Sequence, residues 1–208
     1  AIEQYCREAS PPMRPFLAAS VGPYGAYLAD GSEYRGDYDL DALALYHFHR
    51  QRLRRLAASD VDLLACETIP CIAEAVALAR LIDEVAKPAW ISFSCRDGEH
   101  LNSGETIEDA VDALVGHSSI FALGVNCTAP QHLTSLITRL RARWEKRIVV
   151  YPNSGEHYCA ETGRWEGTSS PLECAQAARA WRAAGADIVG GCCRMGPEHV
   201  SAIHSSLC

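Results

Sequence analysis

An α/β fold of repeated strand–helix units is what this sequence predicts, on three observations. Six short apolar runs recur along the chain, each followed by a polar or glycine-rich turn and then an amphipathic helical pattern. Such alternation implies right-handed βαβ units and a parallel sheet, either open and doubly wound or closed as a (β/α)8 TIM-type barrel. No G-x-G-x-x-G follows any strand and no G-x-x-x-x-G-K-[ST] occurs in the 208 residues, so the barrel is preferred over a dinucleotide or P-loop fold. The pitch agrees with that choice. Strand starts run from 16 to 187 over five intervals, roughly 34 residues each, and eight such units would need about 270 residues, near the barrel norm.

Each element has its own signal. The first strand, 16–21 (FLAASV), leads through Gly22-Pro23-Tyr24-Gly25 to a helix over 40–58. The second, 63–66 (LLAC), reaches a helix over 72–86 past Pro70, and the third, 89–93 (AWISF), precedes a helix over 106–115. After the fourth, 121–125 (FALGV), Pro130 opens a helix over 131–144; after the fifth, 148–151 (IVVY), Ser170-Pro171 opens one over 172–184. Gly185 suits the left-handed cap that closes this helix. The sixth strand, 187–189 (DIV), precedes a helix over 198–206, and residues 1–9 read as the end of a helix. No low-complexity segment, charge run or linker divides the chain. About six βα units are thus expected, with the first two strands of a barrel missing and residues 1–208 forming one partial domain truncated on its N-terminal side.

With 48% hydrophobic, 22% charged and 8% aromatic residues, the profile is that of a globular protein long enough to bury a substantial core. The formal charge of −7, from 19 basic and 26 acidic residues, argues against a nucleic-acid or anionic-membrane partner. No apolar run approaches the ~18 residues of a membrane helix, and residues 1–9 do not resemble a signal peptide. The expectation is a cytoplasmic protein with a small-molecule partner.

Of ten cysteines, Cys6, Cys66, Cys71, Cys95, Cys159, Cys174 and Cys208 are scattered singly, where burial as small apolar side chains is the default. Cys192 and Cys193 differ, because a vicinal pair between Gly190-Gly191 and Arg194 has no packing rationale. A barrel places its active site at the C-terminal strand ends. Those ends carry Gly22-Pro23-Tyr24-Gly25, Glu67-Thr68, Ser94-Cys95, Asn126-Cys127, Asn153-Ser154-Gly155-Glu156 and Gly191-Cys192-Cys193. Cys127 can therefore meet the vicinal pair. Three cysteines with an open fourth position suit Zn²⁺, whose Lewis acidity lowers the pKa of a bound thiol or water. The alternative is that Cys127 packs in the core and Cys192-Cys193 is a redox pair, since ligands 65 residues apart make no compact zinc motif.

The strings SVGPYGAYLADGSEYRGDY (20–38), LLACETIP (63–70), ALGVNC (122–127), VVYPNSGEHY (149–158) and IVGGCCRMGPEHV (188–200) closely resemble the homocysteine S-methyltransferase family. The likeness is greatest to the branch using S-methylmethionine or S-adenosylmethionine, related to betaine-homocysteine methyltransferase. It covers essentially the whole chain, and GVNC with GGCC is its specific part. The resemblance implies that Cys127, Cys192 and Cys193 are zinc ligands. It also implies that a homocysteine thiolate at the open zinc position attacks the methyl group of a sulfonium donor, with a neutral thioether leaving and methionine formed. Glu67 resembles the family glutamate that binds the homocysteine amino group; read without the resemblance, it is a charge at a helix N-terminus.

Asn126 is a further site candidate, expected to point away from Cys127 and to orient its loop. Ser94 is a candidate for a substrate carboxylate or a turn residue. Tyr24, Tyr27 and Tyr34 are candidates for a cation–π wall around the sulfonium, with loop packing as the alternative. His47, His49 and His157 are assigned no metal role. The family's D-G-x-x-x-T-E-L-like and T-x-S-Y-x-like motifs are absent, which agrees with two missing strands and leaves sheet edges through which the chain would self-associate. A truncated, inactive zinc-binding remnant and a thiol-redox protein using Cys192-Cys193 are the competing expectations.

Overall fold

The computed structural model describes residues 2–155, 157–159, 164–166 and 170–208, the two short central pieces by their backbone alone. Strands and helices alternate as expected. The strands are β1 (Ala18–Val21), β2 (Leu63–Ile69), β3 (Ala89–Phe93), β4 (Ile120–Asn126), β5 (Arg147–Tyr151), β6 (His157–Cys159), β7 (Arg164–Glu166) and β8 (Ile188–Val189). Six form a parallel sheet in the order β1-β2-β3-β4-β5-β8, with β6 and β7 a separate antiparallel hairpin. The helices are α1 (Ile2–Ala9), α2 (Tyr24–Leu28), α3 (Ala42–Ala57), α4 (Ile72–Val85), α5 (Ile107–Asp112), α6 (Leu133–Arg143), α7 (Pro171–Ala184) and α8 (Pro197–Leu207). Among the described residues none is long and apolar enough to cross a membrane.

Strand alternation builds the core. Val21, Leu64, Cys66, Ile91, Phe93, Leu123, Val125, Ile148 and Val150 face the helices and are fully buried against Leu53, Leu78, Ile82, Leu136, Leu140 and Trp181. The opposite face carries Ser20, Glu67, Trp90, Ser92, Asn126 and Tyr151. Glu67 on β2 is hydrogen-bonded to Tyr151 on β5 at 2.9 Å. In a flat sheet those strands would lie about 14 Å apart, three spacings of ~4.8 Å. The sheet is therefore strongly curved, an arc of a barrel with its polar residues on the inside. Below them a cavity of about 620 Å³ is lined by Phe16, Leu63, Trp90, Phe121 and Ile188.

The expected start signals act as read. Ser170, with Glu173, makes a capping box on α7 ahead of Pro171, and Gly185 closes α7 with φ 118°; a cap not read from the sequence is Asp41, which accepts the Ala44 amide at 2.8 Å at the start of α3. Some boundaries differ. β2 runs on to Ile69 through a register shift between Cys66 and Ile69, α5 is shorter than 106–115, and α2 and the β6–β7 hairpin are additional. A buried pair joins α3 to α4, His49 Nε2 lying 2.7 Å from Glu74 Oε1, both side chains wholly buried. Glu74 Oε1 also accepts the Tyr24 amide at 2.6 Å, which fastens the start of α2. Packing accounts for Cys66, Cys71, Cys95 and Cys174, which are buried, whereas Cys6 is half-buried and Cys208 is exposed because it ends α8 beyond its packed face. The Cys159 side chain lies outside the described residues.

Candidate metal centre

Three sulfurs meet at the C-terminal ends of β4 and β8. Cys127 Sγ lies 2.7 Å from Cys192 Sγ and 3.7 Å from Cys193 Sγ, and the vicinal sulfurs are 3.8 Å apart. Among the described residues this is the one group of three metal-ligating side chains so gathered. Metal–sulfur bonds of ~2.3 Å at the tetrahedral angle would set sulfurs ~3.8 Å apart. Two edges of the triangle already match, and the third opens to that length by a shift of about 1 Å in one thiol. The donor set therefore fits a tetrahedral ion with one position left for a fourth ligand.

The backbone holds each thiol in place. The Cys127 amide donates to the Tyr151 carbonyl at 3.3 Å, the Cys192 amide to the Pro152 carbonyl at 2.8 Å, and the Ser154 amide to the Cys193 carbonyl at 3.1 Å. Gly191 lets the chain turn into the pair, since a Cβ there would sit 2.9 Å from Met195 Cβ and Sδ. Cys127 takes up the left-handed conformation at φ 46°, uncommon outside glycine. The hydrogen bond from Cys127 pulls the Cys192 thiol down to about 6. The same contact, with burial, pushes Cys127 far up, and burial raises Cys193. Cys192 is thus the first of the three to ionise.

Asn126 stands beside Cys127 and is 1% exposed. Its Oδ1 accepts the Thr68 amide at 2.7 Å and the Ser92 hydroxyl at 2.8 Å, while its Nδ2 donates to Thr68 Oγ1 at 2.8 Å. It is a clamp across β4, β3 and the bulged end of β2, where Thr68 has φ 64°. Glu67 accepts from Ser20 Oγ at 2.5 Å through Oε1 and from the Tyr151 hydroxyl at 2.9 Å through Oε2. Trp90 Nε1 donates to the same Tyr151 hydroxyl at 3.0 Å, and Ser92 Oγ lies 2.6 Å from it. Burial, then the Glu67 carboxylate, drive the Tyr151 hydroxyl well above the ordinary phenol range. Ser20, Trp90, Ser92 and Tyr151 were invisible as site residues in the sequence, because nothing short of the curved sheet brings them together.

Ser94 is fully buried, with its hydroxyl reaching the Thr68 carbonyl at 3.4 Å and accepting from Asn102 Nδ2 at 2.9 Å. Tyr24 and Tyr27 belong to an aromatic cluster with Phe48 and Tyr38, Tyr24 lying edge-on to Phe48 at 4.9 Å. Tyr34 stands apart from that cluster. Glu156 and the His157 side chain lie outside the described residues.

A model of the family described as homocysteine S-methyltransferase matches residues 1–207. Homocysteine S-methyltransferase YbgG of Bacillus subtilis (strain 168) is 49% identical over 191 residues, covering 91% of this chain and 61% of the relative. Homocysteine S-methyltransferase of Escherichia coli (strain K12) is 47% identical over 191 residues, covering 90% and 61%. The crystal structure of the homocysteine methyltransferase MmuM from Escherichia coli in its metallated form superposes with a TM-score of 0.85 at 41% identity, covering 98% of this chain and 65% of that one. The chain spans about three-fifths of the length of the curated relatives it matches.

Proposed function

Because this chain belongs to the homocysteine S-methyltransferase family, we propose that it transfers a methyl group from a sulfonium donor to the homocysteine thiol, giving methionine. The donor class is S-methylmethionine or S-adenosylmethionine. The observation that carries the reading is the convergence of Cys127, Cys192 and Cys193, whose sulfurs all lie within 4.8 Å of one another. We assign these three as ligands of Zn²⁺, the ion that thiolate sets with one open position suit best. When bound, zinc supplies Lewis acidity that keeps a substrate thiol ionised at neutral pH.

The chain's own residues would do the rest by positioning. In the reaction a new carbon–sulfur bond forms to homocysteine, the donor's methyl–sulfur bond breaks, and its electron pair stays on the donor sulfur. The thioether leaves neutral, so no general acid is required. What the fold must contribute is alignment of two sulfurs and one methyl group, and near-attack geometry alone is worth several kcal/mol. Glu67 is assigned to the homocysteine ammonium, with Ser20 and Tyr151 fixing the direction of its two oxygens. Asn126 and Ser94 hold the Thr68 segment that borders the thiols.

Transfer of a ¹³C-labelled methyl group from S-methylmethionine to homocysteine, followed by NMR on the zinc-loaded chain, tests the activity; a chain that binds zinc and forms no methionine contradicts it. Glu67→Gln is expected to raise the KM for homocysteine roughly 10- to 100-fold, the worth of a charged hydrogen bond, and to leave the donor KM unchanged. An unaltered homocysteine KM would assign Glu67 to structure alone. A second reading, thiol redox chemistry, draws on the 2.7 Å approach of Cys127 to Cys192 rather than on the vicinal pair. It requires a disulfide that cycles under mild reductant while zinc is absent from the purified protein.

A further inference from the structure

The loop between β1 and α3 contains a short 3-10 turn, Ser32–Tyr34, which joins Tyr34, a cation–π candidate from the sequence, to Glu33, a carboxylate with no role yet assigned. The turn is fastened over the site. The Ser94 hydroxyl, itself against the Thr68 carbonyl, approaches the Glu33 carbonyl at 3.5 Å. Gly25 packs so closely that a Cβ there would lie 2.3 Å from the Glu33 amide nitrogen. Glu74 holds the near end of the loop through Tyr24.

Two features of this turn point to a ligand. Glu33 Oε2 is buried with no hydrogen-bond partner among the described residues. A carboxylate oxygen removed from water without a donor costs free energy, so its retention asks for a cation. Arg35, the cation nearest in sequence, is directed elsewhere, to Asp37 at 3.2 Å and Asp30 at 3.8 Å. The second feature is Tyr34, half exposed and outside the Tyr24–Tyr27–Tyr38–Phe48 cluster. Its hydroxyl is raised to about 12, by burial first and then by the charges of Cys127 and Cys193, so the thiols lie within electrostatic reach of the ring.

We propose that Glu33 and Tyr34 form the donor subsite, Tyr34 presenting its ring to the sulfonium and Glu33 taking the ammonium of a sulfonium amino acid. The inference rests on the methyl-transfer reading above and deepens it. Glu67 is committed to the acceptor's ammonium there, and a donor that is also an amino acid brings a second one, for which Glu33 is the unclaimed carboxylate. Cation–π attraction would hold the sulfonium close to the thiols that activate the acceptor.

S-methylmethionine binding to the zinc-loaded full chain, measured by calorimetry with and without transfer assays, tests this. Tyr34→Leu is expected to weaken donor binding roughly tenfold, the size of a desolvated cation–π contact, and Tyr34→Phe, which keeps the ring, to recover most of it. Glu33→Gln is expected to weaken donor binding about as much while leaving Tm unchanged or higher, since Oε2 makes no hydrogen bond among the described residues that the change could break. Zinc content and homocysteine KM should not move in any variant. Donor affinity unchanged in Tyr34→Leu and Glu33→Gln overturns the subsite, as does loss of zinc from either, which would make the turn part of the metal site. A wild-type chain that fails to bind S-methylmethionine also overturns it. A chain that binds the donor through these residues yet transfers no methyl group refutes the methyl-transfer reading and leaves the subsite standing.

Discussion

Cys127→Ser is expected to abolish stoichiometric metal binding and, with it, methyl transfer. Serine keeps the size of the side chain and removes the thiolate. Of the three donors, Cys127 alone comes from β4, so without it the remaining sulfurs belong to adjacent residues 3.8 Å apart on one turn. Two neighbouring thiols cannot close a tetrahedral site unaided. The expected loss in zinc affinity exceeds the ~100-fold that removal of a merely supporting group causes. The fold should survive, because the Cys127 amide still donates to Tyr151 and the side chain is only half-buried. Zinc per chain after dialysis against a weak chelator, read beside Tm of the metal-free protein, checks both parts. Retention of one equivalent of zinc by this variant would remove Cys127 from the ligand set.

Asn126→Ala is expected to damage stability and metal affinity together. The substitution strands the Thr68 amide and takes one partner each from the Thr68 hydroxyl and the buried Ser92 hydroxyl. Each unsatisfied buried group costs about 1–3 kcal/mol, and partial relaxation leaves a net loss of about 2–4 kcal/mol. Thr68 adds to this because a β-branched residue at φ 64° is strained and is held there by the amide it would lose. Its hydroxyl also favours the ionised Cys127 thiol, so the effect reaches the metal donors. Zinc affinity should fall about 10- to 100-fold, the usual worth of an outer-shell partner. Denaturant unfolding of the metal-free chain and a chelator competition measure the two losses separately. Full zinc affinity in a destabilised variant would confine Asn126 to the fold.

The parallel sheet was legible because each buried strand is apolar on the helix-facing side and several helices carry a start signal. Ser170-Pro171 and Gly185 bracket α7 as local chemistry requires. The end of β2 was not legible, since Glu67 and Thr68 interrupt the apolar run while staying in the strand. Their polarity is explained only by the curved inner face. α2 hides behind Gly25 and Tyr27 in a stretch that reads as loop, and is positioned by Glu74 from 50 residues away. Among the site residues, Cys127, Cys192 and Cys193 stood out through placement at strand ends. The hydrogen-bonded column through Ser20, Glu67, Tyr151, Ser92 and Asn126 did not, because its contacts span 34 to 84 residues and depend on strand curvature rather than on any local motif.

The central claim is that three cysteine sulfurs hold a zinc ion that keeps one place for the substrate thiol. Zinc K-edge X-ray absorption of the loaded full chain, recorded with and without homocysteine, tests it most directly. The account predicts three sulfur neighbours at ~2.3 Å and one lighter atom alone, with a fourth sulfur replacing that atom when homocysteine is added. Fewer than three sulfurs in the free protein, or a sulfur count that homocysteine leaves unchanged, would contradict it.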